Sequence, residues 1–224
     1  MKNILITLLS MLIPSSVIMA QYQNVQEKAS LVNVPLEKFV SQQKTLFNFD
    51  WKFQLVTEEN KGTNFAAPAL DDSSWRILDL PHDFQFEQPW TKAGGGARGF
   101  KPMCEGWYRK SFQADPLWKG KRVVMDFGGI IYLGDVYLNG HKIASTDYGY
   151  VGIEADLTPY LHFEKENIVA VYASTGPKKG SRWYTGGGLF RDVYLQVQNP
   201  THIARHGIYI TTPEVVSDKA TVAV

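Results

Sequence analysis

From Phe47 the chain changes from irregular to periodic. Phe49, Trp51, Phe53 and Leu55 alternate with Asp50, Lys52 and Gln54, a period of two that predicts a strand with one buried face. Trp75 to Leu80 predicts a second strand, which Pro81 ends because proline cannot donate to a sheet ladder. Gly106 to Gln113 and the alternation of Val123, Met125 and Phe127 with Val124 and Asp126 predict two more. Val136 to Ala144 is broken by Asn139-Gly140, the dipeptide preferred in two-residue hairpin turns because both positions need positive φ. In 167–173, Ile168, Ala170 and Tyr172 share one strand face, with Val169 and Val171 on the other. A last strand of this unit runs from Val193 to Val197.

Between these runs lie loops. Asn60 to Ala69 carries Gly, Asn and Pro, and residues 154–161 read as one turn of helix with Asp156 as N-cap. Gln85 to Glu105 is the longest irregular stretch, with Trp90 and then Gly94-Gly95-Gly96-Ala97-Arg98-Gly99; a loop of this length in a compact domain points to function or disorder. A phosphate cradle is disfavoured, since no Gly-Lys-Ser/Thr follows and no helix opens there. Many short strands, turn signals between them and no long amphipathic helix predict an all-β antiparallel sandwich or jelly roll. After Pro200, residues 203–210 and 220–224 read as two strands with a turn at Thr212-Pro213-Glu214. Two strands alone cannot close a core, so this second unit reads as cut short.

The ends and the composition narrow the class. Lys2, the uncharged run Ile4 to Ile13 and Ala20 are the parts of a secretory signal peptide, which predicts a secreted or periplasmic protein with no membrane association after cleavage. Residues 21–46 read as a polar leader. Lys and Arg total 23 against 22 Asp and Glu, so no basic field exists to gather nucleic acid or anionic lipid. Cys104 is the only cysteine, which excludes an internal disulfide and a cysteine-based metal site and favours an inert, half-buried thiol.

One stretch carries the densest candidate chemistry. Arg182, Trp183 and Tyr184 precede Gly186-Gly187-Gly188, and Leu189-Phe190-Arg191-Asp192-Val193 follows. Glycine permits positive φ and close backbone approach, and aromatic rings offer flat, half-polar faces to a sugar. Trp90, Arg182, Trp183 and Tyr184 are therefore the candidate ligand residues. The competing reading packs Trp183 under the glycine corner and pairs Arg182 with a carboxylate, while Trp90 anchors its own loop or meets another domain. His82-Asp83 follows a strand and a proline and reads as a structural turn or an interface contact, and Trp51, Trp75 and Trp107 read as core.

The ordered series Phe49-Asp50-Trp51-Lys52-Phe53, Asp72-Ser73-Ser74-Trp75, Leu80-Pro81-His82-Asp83, Gly106-Trp107-Tyr108-Arg109-Lys110, Val136-Tyr137-Leu138-Asn139-Gly140 and Gly187-Gly188-Leu189-Phe190-Arg191-Asp192-Val193 resembles the N-terminal sugar-binding domain of glycoside hydrolase family 2, secreted β-galactosidases above all. The resemblance implies a galactose-binding-like jelly roll over residues 47–199 and the start of an immunoglobulin-like sandwich over 200–224. It also implies a (β/α)8 barrel carrying both catalytic glutamates, which this chain does not include. Retaining glycosidases need two carboxyl groups about 5–5.5 Å apart, and neither Glu58-Glu59 nor Glu164-Lys165-Glu166 offers such a pair, so no catalytic residue is assigned and the chain alone is expected to be inactive. Its expected partners are a β-galactoside or related carbohydrate and the barrel of the whole protein. In some relatives an aspartate near the sugar's 6-hydroxyl and a sodium ion stands where this chain has Arg182, so neither metal nor cofactor is carried over. A free-standing carbohydrate-binding module is the alternative.

Overall fold

The computed structural model describes residues 43–176 and 184–224. Fourteen strands are found in them: β1 (Gln43–Leu46), β2 (Trp51–Leu55), β3 (Arg76–Leu78), β4 (Glu105–Phe112), β5 (Arg122–Phe127), β6 (Ile130–Ile131), β7 (Leu133–Leu138), β8 (His141–Thr146), β9 (Ile153–Asp156), β10 (Asn167–Ser174), β11 (Gly188–Leu189), β12 (Val193–Gln198), β13 (Thr211–Val215) and β14 (Ala220–Ala223). They form a six-stranded sheet in the order β3-β2-β4-β10-β7-β8, a four-stranded sheet in the order β1-β12-β5-β9, and two short ribbons, β11-β6 and β13-β14. Every pairing is antiparallel.

The period-two pattern decides what lies between the sheets. Val123, Met125 and Phe127 of β5 and Val193, Leu195 and Val197 of β12 meet Val136 and Leu138 of β7, Val169, Val171 and Ala173 of β10 and Trp51 and Phe53 of β2 in one buried cluster. That is the sandwich expected from the alternation. The hairpin at Asn139-Gly140 is also as expected, with φ of 51° and 86° and Leu138 facing His141 across the turn.

Five local expectations are corrected. Phe49 is 55% exposed, because Asp50 takes a left-handed φ of 56° and the strand starts only at Trp51. Residues 153–156 are strand β9 and only Thr158–Tyr160 turn as a 3-10 helix, with Asp156 Oδ1 accepting from Thr158 N at 2.9 Å. Residues 203–210, read as a strand, form none, and Thr212-Pro213-Glu214, read as the turn after them, lies inside β13; the ribbon turns after Val215 instead, where Val216 N reaches Lys219 O at 2.8 Å. β1, in the stretch read as leader, adds an edge strand to β12 from Gln43 to Leu46.

The outer face of the six-stranded sheet has a small core of its own. Arg109 is 1% exposed; its Nε donates to Asp72 Oδ2 at 2.8 Å, and one Nη donates to the carbonyls of Phe65 and Ala67 at 2.6 and 3.1 Å. Phe65 meets Trp75 and Trp107 at centroid separations of 5.6 and 5.7 Å. Asp72 also receives Lys52. Burial works against its charge, but the hydrogen bonds from Arg109 and Lys52 outweigh that and hold its carboxyl below the usual range. Trp51 thus sits in the main core, whereas Trp75 and Trp107 belong to this second cluster under the 56–75 loop.

Candidate functional site

The loop after β3 and the glycine-rich approach to β11 run side by side. His82 N donates to Leu189 O at 2.8 Å and Phe84 N to Gly187 O at 3.0 Å. This closeness is what the glycines permit. Gly188 has a φ of 118°, and a Cβ there would stand 2.3 Å from the Tyr108 hydroxyl and 2.8 Å from His82 O; a Cβ on Gly187 would stand 2.5 Å from Thr175 Cγ2. The glycine corner therefore packs against its own domain.

Asp83 is the joint between the two segments. Its Oδ1 accepts from Gln85 N, Phe86 N and Gly187 N at 3.0, 3.1 and 3.0 Å, and its Oδ2 accepts from the Tyr184 hydroxyl at 2.6 Å. Burial and the adjoining Asp83 carboxylate push the Tyr184 phenol well up, so Tyr184 is a standing hydrogen-bond donor. Next to Asp83, His82 Nδ1 lies 2.8 Å from the Tyr108 hydroxyl and its Nε2 lies 3.1 Å from Glu87 Oε1. Arg76 grips both oxygens of Glu87 at 2.8 Å. Burial lowers the His82 pKa. For Glu87, burial opposes ionisation, but the bonds from Arg76 and His82 prevail and lower its pKa.

The long loop is ordered from within. Two 3-10 turns, Lys92–Gly94 and Gly96–Arg98, lie between Thr91 and Phe100, whose backbones close the loop through Thr91 N to Phe100 O at 2.8 Å. Lys101 is 5% exposed, and its ammonium donates to the carbonyls of Phe86 and Gln88. The same ammonium stands 4.1 Å from the centroid of the Trp90 ring, a cation–π contact that fixes the ring from one side. Trp90 itself is 72% exposed. A Cβ on Gly99 would lie 3.8 Å from Tyr184 Cβ, so the Trp90 loop and the Tyr184 segment touch.

Of the four sequence candidates, Trp90 and Tyr184 are thus placed on two adjoining loops, while Arg182 and Trp183 lie outside the described residues. Tyr184 has a structural tie in addition to any ligand role. The residues not singled out from sequence are Asp83 and Lys101. Asp83 stood in the Leu-Pro-His-Asp series, and its turn role is confirmed by the Gln85 and Phe86 amides; its hold on Gly187, 104 residues away, had no local signal. Cys104 is half-buried, and burial first, then Asp83 and Glu105, push its thiol up to about 12, as befits an inert thiol.

This architecture and motif order agree with what is known of other proteins. Residues 102–191 match the glycosyl hydrolase 2 galactose-binding domain-like family. This is the galactose-binding-like domain of glycoside hydrolase family 2. A β-galactosidase of Bacteroides ovatus, BoGH2A, is 37% identical over 179 residues, covering 78% of this chain and 20% of that protein. A putative β-glucuronidase of Formosa agariphila is 33% identical over 183 residues, covering 81% of this chain and 17% of that protein. The solved structure of a β-glycosidase from Bacteroides vulgatus superposes with a TM-score of 0.74 at 37% identity, over 80% of this chain and 23% of that one. The chain therefore spans only 20% of the length of the Bacteroides ovatus relative, and the family 2 domain is the part it shares.

Proposed function

We propose that this chain is the sugar-binding portion of an exported, β-galactosidase-like glycosidase of family 2. The Trp90 loop and the Tyr184–Gly188 segment form one wall of a substrate pocket, and the two catalytic carboxyl groups of the retaining reaction belong to a barrel elsewhere in the whole protein. One observation carries the reading: two loops distant in sequence are locked together on Asp83, while the most exposed aromatic ring of that region among the described residues, Trp90 at 72%, is braced by Lys101 rather than buried. Rigid placement of an open aromatic face suits stacking on a sugar ring. The four donors already on Asp83 and the Arg76 and His82 ties of Glu87 give these carboxylates positioning duties, which fits a wall that binds and a catalytic pair that lies elsewhere. The signal-like sequence at residues 1–20 supports export to the periplasm or beyond.

Assay of the full-length gene product on nitrophenyl β-galactoside and β-glucuronide tests this. Turnover of the galactoside, with KM raised in Trp90→Ala, is the expected result. Absence of turnover on every β-glycoside, together with tryptophan-fluorescence titration showing galactoside binding, would replace this reading with the free-standing binding module.

A further inference from the structure

A second groove takes its lining from Pro81, Phe190 and Arg191, beyond the Asp83 joint and the glycine corner, and Trp90, Asp83 and Tyr184 are not part of it. It is an open groove of about 720 Å³, lined by residues of β1, β12 and the loops before β9 and β12, Lys44, Tyr150, Phe190, Arg191 and Tyr194 among them. This volume lies within the range of small-ligand sites, roughly 300–1,000 Å³. From this lining we propose a second saccharide site, selective for a sugar that carries an anionic group, a carboxylate or a sulfate ester.

Val193, Leu195 and Val197 point into the core, so Tyr194 stands on the outer face of the four-stranded sheet. Lys44 of the neighbouring edge strand lays its ammonium 4.0 Å from the Tyr194 ring centroid. Arg191 lies along the loop after β5: a Cβ on Gly128 would stand 2.9 Å from Arg191 Cβ, so glycine makes room for the arginine stem. One Arg191 nitrogen donates to Gly128 O and Tyr150 O at 3.3 and 3.2 Å. The guanidinium carbon is 4.9 Å from the Phe190 ring centroid, and Tyr150 meets Phe190 edge to face at 6.1 Å.

The charges decide the ligand class. Arg205 answers Asp126 at 3.0 Å. Asp192 accepts from Asn48 at 2.7 Å and from the Tyr194 hydroxyl at 3.3 Å. Lys44 and Arg191 have carbonyls and aromatic faces as neighbours, and neither forms an ion pair with a carboxylate among the described residues. Two cations without counter-charge flank three aromatic rings. Guanidinium N–H groups left over from the two carbonyls present a fork to a planar or tetrahedral anion, and the rings offer stacking faces to the sugar that bears it.

Isothermal titration of the full-length protein with an oligoglucuronate, a sulfated galacto-oligosaccharide and a neutral galacto-oligosaccharide tests the site. One or both acidic ligands are expected to bind, the responding arm naming carboxylate or sulfate, and the neutral one is expected to bind at least tenfold more weakly at this site. Lys44→Met is expected to weaken acidic-ligand binding about tenfold, the effect of losing one charge-assisted contact, and 0.5 M salt to weaken it further. Arg191→Gln gives the larger loss, with circular dichroism as the folding check. Among the described residues the Lys44 ammonium contacts only the Tyr194 ring, so its variant keeps the test valid if Arg191→Gln does not fold. Equal binding of the neutral oligosaccharide, unchanged binding in Lys44→Met, or no binding of either acidic ligand would overturn the proposal. Glycoside turnover is expected to be unchanged in Lys44→Met, so failure here and failure of the proposed hydrolase reading are read separately.

Discussion

The Tyr184 hydroxyl donates to Asp83 Oδ2 at 2.6 Å across 101 residues of sequence. The bond ties the segment entering the glycine corner to the turn that starts the Trp90 loop. Tyr184→Phe keeps the ring and removes the tie. A hydrogen bond to a charged group contributes about 1.5–3 kcal/mol, and here its loss loosens a loop rather than the core. Faster amide exchange at Gly187 and a KM about tenfold higher in the full-length protein are the expected outcomes, with melting temperature nearly unchanged. Unaltered exchange at Gly187 would mean the other three Asp83 bonds suffice.

Trp90 makes the opposite case. Its ring is open to solvent on the side away from Lys101, so Trp90→Ala removes little buried area and is expected to change stability by no more than about 0.5 kcal/mol. Its effect belongs to the ligand. Loss of galactoside-induced fluorescence change, with an unchanged thermal melt, is the result that fits; a large fall in stability would show that the ring holds the loop instead.

The Arg109–Asp72 pair carries the outer cluster. Arg109 is buried and Asp72 nearly so, with side-chain exposures of 1% and 17%. Removing one partner leaves a buried charge without its counter-ion, which costs about 3–5 kcal/mol. Asp72→Ala is expected to fall at the lower end, because the Phe65 and Ala67 carbonyls still receive the guanidinium. Urea unfolding measures it. A loss below 1 kcal/mol would mean that water reaches Arg109 when the carboxylate is gone.

These contacts also mark how far the sequence could be read. Alternation alone placed the main core, because period two is a local property and Trp51, Met125 and Val171 obey it. Asn139-Gly140 placed its hairpin for the same reason. The Asp72 motif was visible as a motif, but its partner Arg109 lies 37 residues away, and nothing local distinguishes a strand arginine that is buried from one that is solvated. Phe49 misled because the pattern does not show a single left-handed residue at Asp50. The wall of the candidate site was legible as aromatic and glycine-rich loops, whereas Asp83, which joins them, was not: its four donors come from two segments brought together only by the fold.

His82 predicts an acid-side loss of stability. Its pKa is lowered in the fold by burial, with Tyr108, Glu87, Arg76 and Asp83 around it. Above the ordinary histidine value of 6.5 the ring is neutral folded and unfolded, and the contribution is complete. As pH falls below 6.5 the unfolded chain takes up a proton that the folded chain resists, so stability declines. Glu87, also lowered, adds a further decline as pH falls below the ordinary glutamate value of 4.5. Thermal melts of the wild type between pH 8 and pH 5 are expected to show a falling midpoint, and His82→Gln to show a flatter profile from a lower starting point. A parallel profile in the variant would assign the decline to other groups.

Gly188 offers the sharpest test of the corner itself. At a φ of 118° an alanine is strained, and its Cβ would stand 2.3 Å from the Tyr108 hydroxyl, which sits in the fully buried core beside His82. Relief would require Tyr108 to move, and Tyr108 packs at 5.0 Å from Phe53 and 6.4 Å from Phe84. Backbone strain of about 1–2 kcal/mol and overpacking of about 1–3 kcal/mol act together, so Gly188→Ala is expected to destabilise by about 3 kcal/mol or more. Gly95, which has positive φ but open space around it, is the control, since Gly95→Ala meets only the backbone strain. Equal losses in the two variants would show that φ alone requires the glycines. A larger loss at Gly188 would show that the corner uses them to bring β11 against Tyr108 and His82, which is what keeps the Tyr184 segment in reach of Asp83.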